Sequence, residues 1–167
     1  MKETLRRMQK KRAAGDGGFT LVELLVVVVI IGVLVAIAVP MYLNYRKGAA
    51  NKSAESDVRA AVSAIEQFYT ENSNAYPAST DADATTKLEF GTTKSGSTFE
   101  GGTKQTATLS PGNKMQYKRM GTTNDSYRIC AVNSDGAVFY VYDSAAGGSV
   151  RKASDTTKNM ADCLATG

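Results

Sequence analysis

Residues 19–39 read FTLVELLVVVVIIGVLVAIAV, a run of 21 positions in which Glu23 is the one charged side chain. As a helix this run would be about 31 Å long, close to the hydrocarbon thickness of a bilayer. It is apolar on every side, so burying it inside a soluble protein would need a large surrounding core. A chain of 167 residues cannot supply one. The run is therefore expected to span a membrane.

Working outward toward the N-terminus, residues 1–18 are polar and basic and end in Gly15-Asp16-Gly17-Gly18. They carry six cations (Lys2, Arg6, Arg7, Lys10, Lys11, Arg12) against Glu3 and Asp16, which accounts for the whole net charge of +4. The remaining 149 residues hold 14 cations and 14 anions. Positive charge ahead of an apolar run places the N-terminus in the cytoplasm and everything after the run outside it. The high pI is thus an orientation signal and not a nucleic-acid signal. Lys114, Lys118, Arg119 and Arg128 could form a small basic patch, but they read better as solvated strand faces on a neutral segment. Nucleic acid is left as a possible partner that charge does not support.

Working outward toward the C-terminus, Pro40 follows the run, yet helical patterning resumes. Ala54, Val58, Ala61, Ile65 and Phe68 recur at spacings of 4, 3, 4 and 3, widened by Val62 and Tyr69, with Lys52, Glu55, Asp57, Arg59, Glu66 and Gln67 between them. That pattern predicts an amphipathic helix burying one face. Gly32 and Pro40 are the expected weak points of the long helix, because Gly disfavours helix and Pro removes a backbone donor. The helix should end near Glu71-Asn72-Ser73-Asn74. Residues 73–113 are rich in Ser, Thr, Gly and Asp and read as a long loop, anchored by Leu88, Phe90 and Phe99. Strands are expected over Met115–Met120, Tyr127–Val132 and Ala137–Tyr142, with a fourth at Val150–Lys152. Asp135-Gly136 signals a tight hairpin between the second and third. The tail from Ala153 reads as irregular. The fold class is α+β: a long N-terminal helix over 19–72, membrane-spanning at about 19–39, packed on an antiparallel sheet of three to four strands within a head over 73–167.

The chain has no histidine, which removes His-based nucleophilic pairs and imidazole ligands. No catalytic constellation is visible, no metal site or cofactor is implied, and an enzyme is not expected. Asp125 with Asp135 could suggest calcium, but the turn reading of Asp135 is preferred. Cys130 and Cys163 form no CxxC motif. An even pair in an exported segment suggests a disulfide, the alternative being two buried thiols. The bond would close a loop of about 30 residues, for roughly 3–4 kcal/mol in the chain-entropy treatment.

The segment Gly17-Gly18-Phe19-Thr20-Leu21-Val22-Glu23-Leu24 resembles the prepilin-type cleavage and methylation motif. A short basic leader ends in Gly, then Phe, Thr-Leu-Val-Glu and a long uncharged run follow. The resemblance to the type IV pilin and pseudopilin family extends through Pro40 and Tyr42 and, more faintly, to Tyr69–Pro77. It implies the type IV pilin fold, a leader over 1–18 cut by a prepilin peptidase between Gly18 and Phe19, and N-methylation of Phe19. It implies that Glu23 pairs with the new amine of a neighbouring subunit during assembly, and that the stretch from Gly32 to Pro40 can lose helix in a filament. The implied partners are copies of the chain itself, related minor pilins, a membrane assembly platform and its cytoplasmic ATPase. The implied location is the cytoplasmic membrane first, and a surface pilus or a periplasmic or cell-wall pseudopilus afterwards.

Read from physics alone, Thr20-Leu21-Val22-Glu23 is also a capping box, with Thr20 as N-cap and Glu23 three residues on. A carboxylate entering a membrane is nonetheless unfavourable and is a functional candidate in its own right. Both roles can coexist. Within the filament class, a pilus subunit is the leading reading and a pseudopilin of a type II secretion or competence DNA-uptake machine the alternative. More remote are a domain secreted behind an ordinary signal peptide, with Ala36-Ile37-Ala38 as its cleavage site, and an unprocessed single-pass protein.

Overall fold

The structure is a computed structural model that describes residues 18–79, 83–91, 103–121, 125–154 and 156–166. The leader up to Gly17, and Phe99, lie outside the described residues.

Helix α1 runs from Leu21 to Glu71. Gly32 and Pro40, expected as its weak points, both lie inside it. Pro40 has no N–H to give to the carbonyl of Ala36, so one rung of the ladder is missing there. At its C-terminal end the Asn72 side chain donates to the Phe68 carbonyl at 2.7 Å. Ser73 and Asn74 turn left-handed at φ 55° and 57°, and the Asn74 N–H returns to the Tyr69 carbonyl at 3.1 Å. These bonds satisfy carbonyls that the helix leaves open. The molecule divides into two units between Tyr42 and Leu43.

Among the described residues, the second unit holds every core residue. Strands β1 (Lys87–Phe90) and β2 (Gln105–Thr108) form an antiparallel pair. Strands β3 (Asn113–Met120), β4 (Ser126–Asn133), β5 (Phe139–Asp143) and β6 (Arg151–Lys152) form a four-stranded antiparallel sheet in that order. A short helix, α2 (Met160–Thr166), follows. The architecture is α+β, as the sequence pattern predicts.

Both faces of the sheet are used. One face carries Met115, Tyr117, Tyr127, Ile129, Ala131 and Tyr140, which pack in one core with Ala54, Val58, Ala61, Ile65 and Phe68 of α1. The expected helical stripe is the buried stripe. Each large aliphatic side chain buried in this way contributes about 1.5–3 kcal/mol. Tyrosine rings continue the core beyond the helix end: Tyr69, Tyr76, Tyr127 and Tyr117 stand in series at centroid separations of 4.5, 4.8 and 5.7 Å. The opposite face buries Cys130 and Val141 against Met160, Cys163 and Leu164 of α2.

Three expectations differ from the structure. The loop over 73–113 contains the β1–β2 pair, whose Leu88, Phe90 and Ala107 are buried. Four residues, KLEF and QTAT, are too short for alternation to stand out in a Thr-rich stretch, and their pairing is non-local. The tail contains α2, seven residues held by tertiary contacts because a helix so short is not stable by propensity. Asp135-Gly136 does not form a two-residue hairpin. The flanking pair is Val132 with Phe139, and the Gly136 and Ala137 N–H groups both return to the Asn133 carbonyl, at 3.2 and 3.0 Å. The left-handed residue is Ala137, at φ 58°. Gly136 serves close approach instead: a Cβ there would collide with the Asn51 side chain and lie 3.1 Å from its backbone nitrogen.

Candidate assembly site

The site begins where α1 begins. Thr20 precedes the first helical residue, and its side-chain oxygen accepts from the Glu23 N–H at 3.2 Å. Glu23 Oε2 accepts in return from the Thr20 N–H at 2.8 Å and from the Thr20 hydroxyl at 3.0 Å. This is the reciprocal capping box, and it satisfies donors that a helix N-terminus otherwise leaves bare. The carboxylate is thus folded back on Thr20, one residue from the Gly18–Phe19 peptide. That peptide lies outside the helix. Gly18 has open space around its Cα, and Phe19 is 81% exposed.

From Leu21 to Val39 every residue is exposed. The helix has the length and composition to cross a membrane. Its backbone bonds are internal, so what it lacks is a cover for its side chains. No element of this chain provides one among the described residues. A continuous apolar surface of this size in water marks a membrane or protein contact.

Apart from Gly32 and Pro40 within α1, the other singled-out residues sit in the second unit. Cys130 on β4 and Cys163 on α2 form a disulfide across 33 residues. Beside it the Arg128 Nε donates to Asp143 at 3.1 Å, and Arg128 Nη1 donates to the Leu164 carbonyl near the end of α2 at 2.9 Å. Burial opposes the charged form of Asp143. The Arg128 hydrogen bonds and charge, with the Ala145 and Ala146 amides, outweigh it and hold the carboxyl below its ordinary range. Arg119 donates to the Tyr76 carbonyl at 3.2 Å. Of the four cations considered as a basic patch, Arg128 is thus paired with a carboxylate and Arg119 is bonded to a backbone carbonyl. Asp135 pairs with Arg46 at 2.8 Å. Among the described residues no group of three or more His, Cys, Asp or Glu side chains could hold a metal.

Sequence reasoning missed Asp57, which it read as a polar-face residue. Its carboxylate is buried and accepts from the Ser110 N–H at 2.6 Å, the Ser110 hydroxyl at 3.0 Å and Asn113 Nδ2 at 2.6 Å. Asn113 also donates to Ser53 at 3.0 Å, and Asn113 Oδ1 accepts from Asn133 Nδ2 at 2.6 Å. One network thus joins α1 to the start of β3 and the end of β4. The signal was present: Asp57 stands three residues after Ala54 and four before Ala61, inside the apolar stripe. A second polar anchor is Tyr127, whose hydroxyl donates to Glu66 at 2.6 Å. Burial first, and that hydrogen bond second, hold its phenol far above the ordinary value.

The prokaryotic N-terminal methylation motif matches residues 14–39. The type II secretion system core protein G of Pseudomonas aeruginosa is 31% identical over 133 residues, covering 77% of this chain and 91% of that protein. The protein of the same name from Aeromonas hydrophila is 39% identical over 70 residues, 42% of this chain and 46% of that protein. The type IV major pilin protein PilA of Myxococcus xanthus is 39% identical over 54 residues, 32% of this chain and 24% of the pilin. The last two matches thus span less than half of those proteins. No solved structure is significantly similar to the chain.

Proposed function

Because this chain belongs to the type IV pilin and pseudopilin family, we propose that it is the precursor of a filament subunit that polymerises through α1. The observation that carries this reading is the wholly exposed apolar stretch from Leu21 to Val39 with a single carboxylate at its start. Lipid covers that surface before assembly, and the same surfaces of other copies and of related minor pilins cover it afterwards. A prepilin peptidase cuts the exposed Gly18–Phe19 bond and methylates the new terminus at Phe19. The cut removes a block of net charge +4 from the end of the helix and creates an amine. Glu23 then offers that amine of a neighbouring subunit an opposite charge in an apolar setting, where a pair is favoured over two isolated charges. Leaving the bilayer is unfavourable until new helix contacts form, so a membrane assembly platform and a cytoplasmic ATPase supply the work. Gly32 and Pro40, helical in the free subunit, are the points where α1 gives way in the filament. The head, closed by the Cys130–Cys163 bond, remains on the extracytoplasmic side throughout.

A specific observation supports a pseudopilus as a second reading. The match that extends into the head, over 133 residues, is to a type II secretion core protein. Electron microscopy of native cells separates the two, since long surface fibres containing the chain belong to a pilus. The family role itself is tested by intact mass and N-terminal sequencing of protein from native membranes. The expected result is a start at Phe19 carrying one added methyl group. A start at Val39 would mean ordinary secretion and would overturn the filament reading.

A further inference from the structure

We propose that one end of the head is a docking surface for anionic phospholipid headgroups, formed by Tyr45 and Lys47 of α1, Lys114 of β3 and the β4–β5 turn. This rests on the membrane-inserted reading above.

Chain continuity sets the depth. Arg46 lies seven residues beyond Val39, so it stays within about 11 Å of the apolar run while helical and about 25 Å in any conformation. The headgroup zone extends about 5–8 Å beyond the hydrocarbon edge, so Arg46 stands at or just past its outer boundary. Tyr45 is 78% exposed, and tyrosine prefers headgroup depth, where its ring meets acyl chains and its hydroxyl meets water.

The β4–β5 turn is fastened to this part of the helix. Asp135 pairs with Arg46 at 2.8 Å, and Gly136 sits against Asn51. The neighbouring turn ahead of β3 is tied in, with the Ser134 N–H donating to the Gly112 carbonyl at 3.0 Å. Both turns are therefore held at the end of the head nearest the bilayer. Their charge follows from the pairing. Arg46 neutralises Asp135; the exposed Lys47 adjoins Arg46, and the exposed Lys114 adjoins Asn113, which bonds Ser53 of α1. Cations beside an anionic surface gain about fivefold each in the docking equilibrium, an effect confined to about a Debye length. The ion pair thus removes the repulsive carboxylate from the surface and leaves an attractive one.

The test uses the full chain, which has no tryptophan. Single probes are introduced as Tyr45→Trp and Ser134→Trp, and the variants are reconstituted in phosphatidylcholine nanodiscs with and without phosphatidylglycerol. Quenching by lipids brominated near the headgroup is read. The expected result is quenching of the Tyr45→Trp probe in both lipids. The Ser134→Trp probe should be quenched more with phosphatidylglycerol, and that gain should be lost in Lys47→Gln/Lys114→Gln or at high salt. Equal quenching of the Ser134→Trp probe in the two lipids would overturn the docking surface while leaving insertion intact. No quenching of the Tyr45→Trp probe in either lipid would overturn the membrane reading and the docking surface with it.

Discussion

Glu23 answers two demands with one carboxylate. It caps its own helix through Thr20, and on the filament reading it meets a neighbour's amine. The two roles separate experimentally because losing half of a capping box frays only the first turn and does not unfold a 51-residue helix. Glu23→Ala is expected to stay membrane-inserted by carbonate extraction yet to form no filaments by electron microscopy. Thr20→Ala weakens the same cap without removing the charge and is expected to keep filaments. Normal filaments from Glu23→Ala would remove the carboxylate from assembly. Asp57 has the opposite character, being buried and local to the head. Replacing it with alanine leaves the Ser110 N–H and an Asn113 amide proton without an acceptor. The expected loss is about 2–4 kcal/mol, read as a lowered melting midpoint in detergent. Asp57→Asn retains one acceptor oxygen and should lose less.

At the level of elements, the pieces that the sequence pattern did not reveal are those held by non-local bonds. The β1–β2 pair docks on the end of α1 through Gln105 to Glu71 at 2.9 Å and the Thr103 N–H to Asn72 at 3.1 Å. On its surface Glu89 sits between Lys87 and Lys104 at 2.7 and 2.9 Å. Hydrogen bonds from both hold its carboxyl at about 2. A carboxyl lowered on folding stabilises the fold above its unfolded value, and that contribution disappears as pH falls through the folded one. Amide protection in the hairpin is therefore expected to weaken between about pH 4 and about pH 2 by hydrogen exchange. Glu89→Gln should remove that part of the pH dependence, and the effect should be small because the pair is solvated. Helix α2 depends on a covalent tie. Replacing Cys130 and Cys163 with serine is expected to cost about 3–4 kcal/mol and to speed exchange in α2 first, since the bond ties α2 directly to β4.

At the level of the whole molecule, all buried residues among those described follow Leu43, and all of the long apolar run precedes it. A fragment beginning at Leu43 is therefore expected to be soluble without detergent and to unfold cooperatively with its disulfide intact. A fragment beginning at Phe19 should require detergent or lipid. Aggregation of the shorter fragment would mean that the head relies on the first unit for its core. The sequence by itself determined the features that rest on local order. The extent of the apolar run follows from composition and the capping box from a four-residue spacing. The buried face of α1 follows from a period of 3.6. Tertiary structure alone decided the rest. Asp57 is buried because Ser110 and Asn113, more than fifty residues away, arrive with donors. Gly136 serves approach to Asn51 and not turn conformation, because a helix 85 residues earlier occupies the space beside it. The β1–β2 pair and α2 exist because burial on the two faces of one sheet rewards segments too short to hold their own shape. Periodicity reports what a segment could bury, and only the folded chain supplies the partner that buries it.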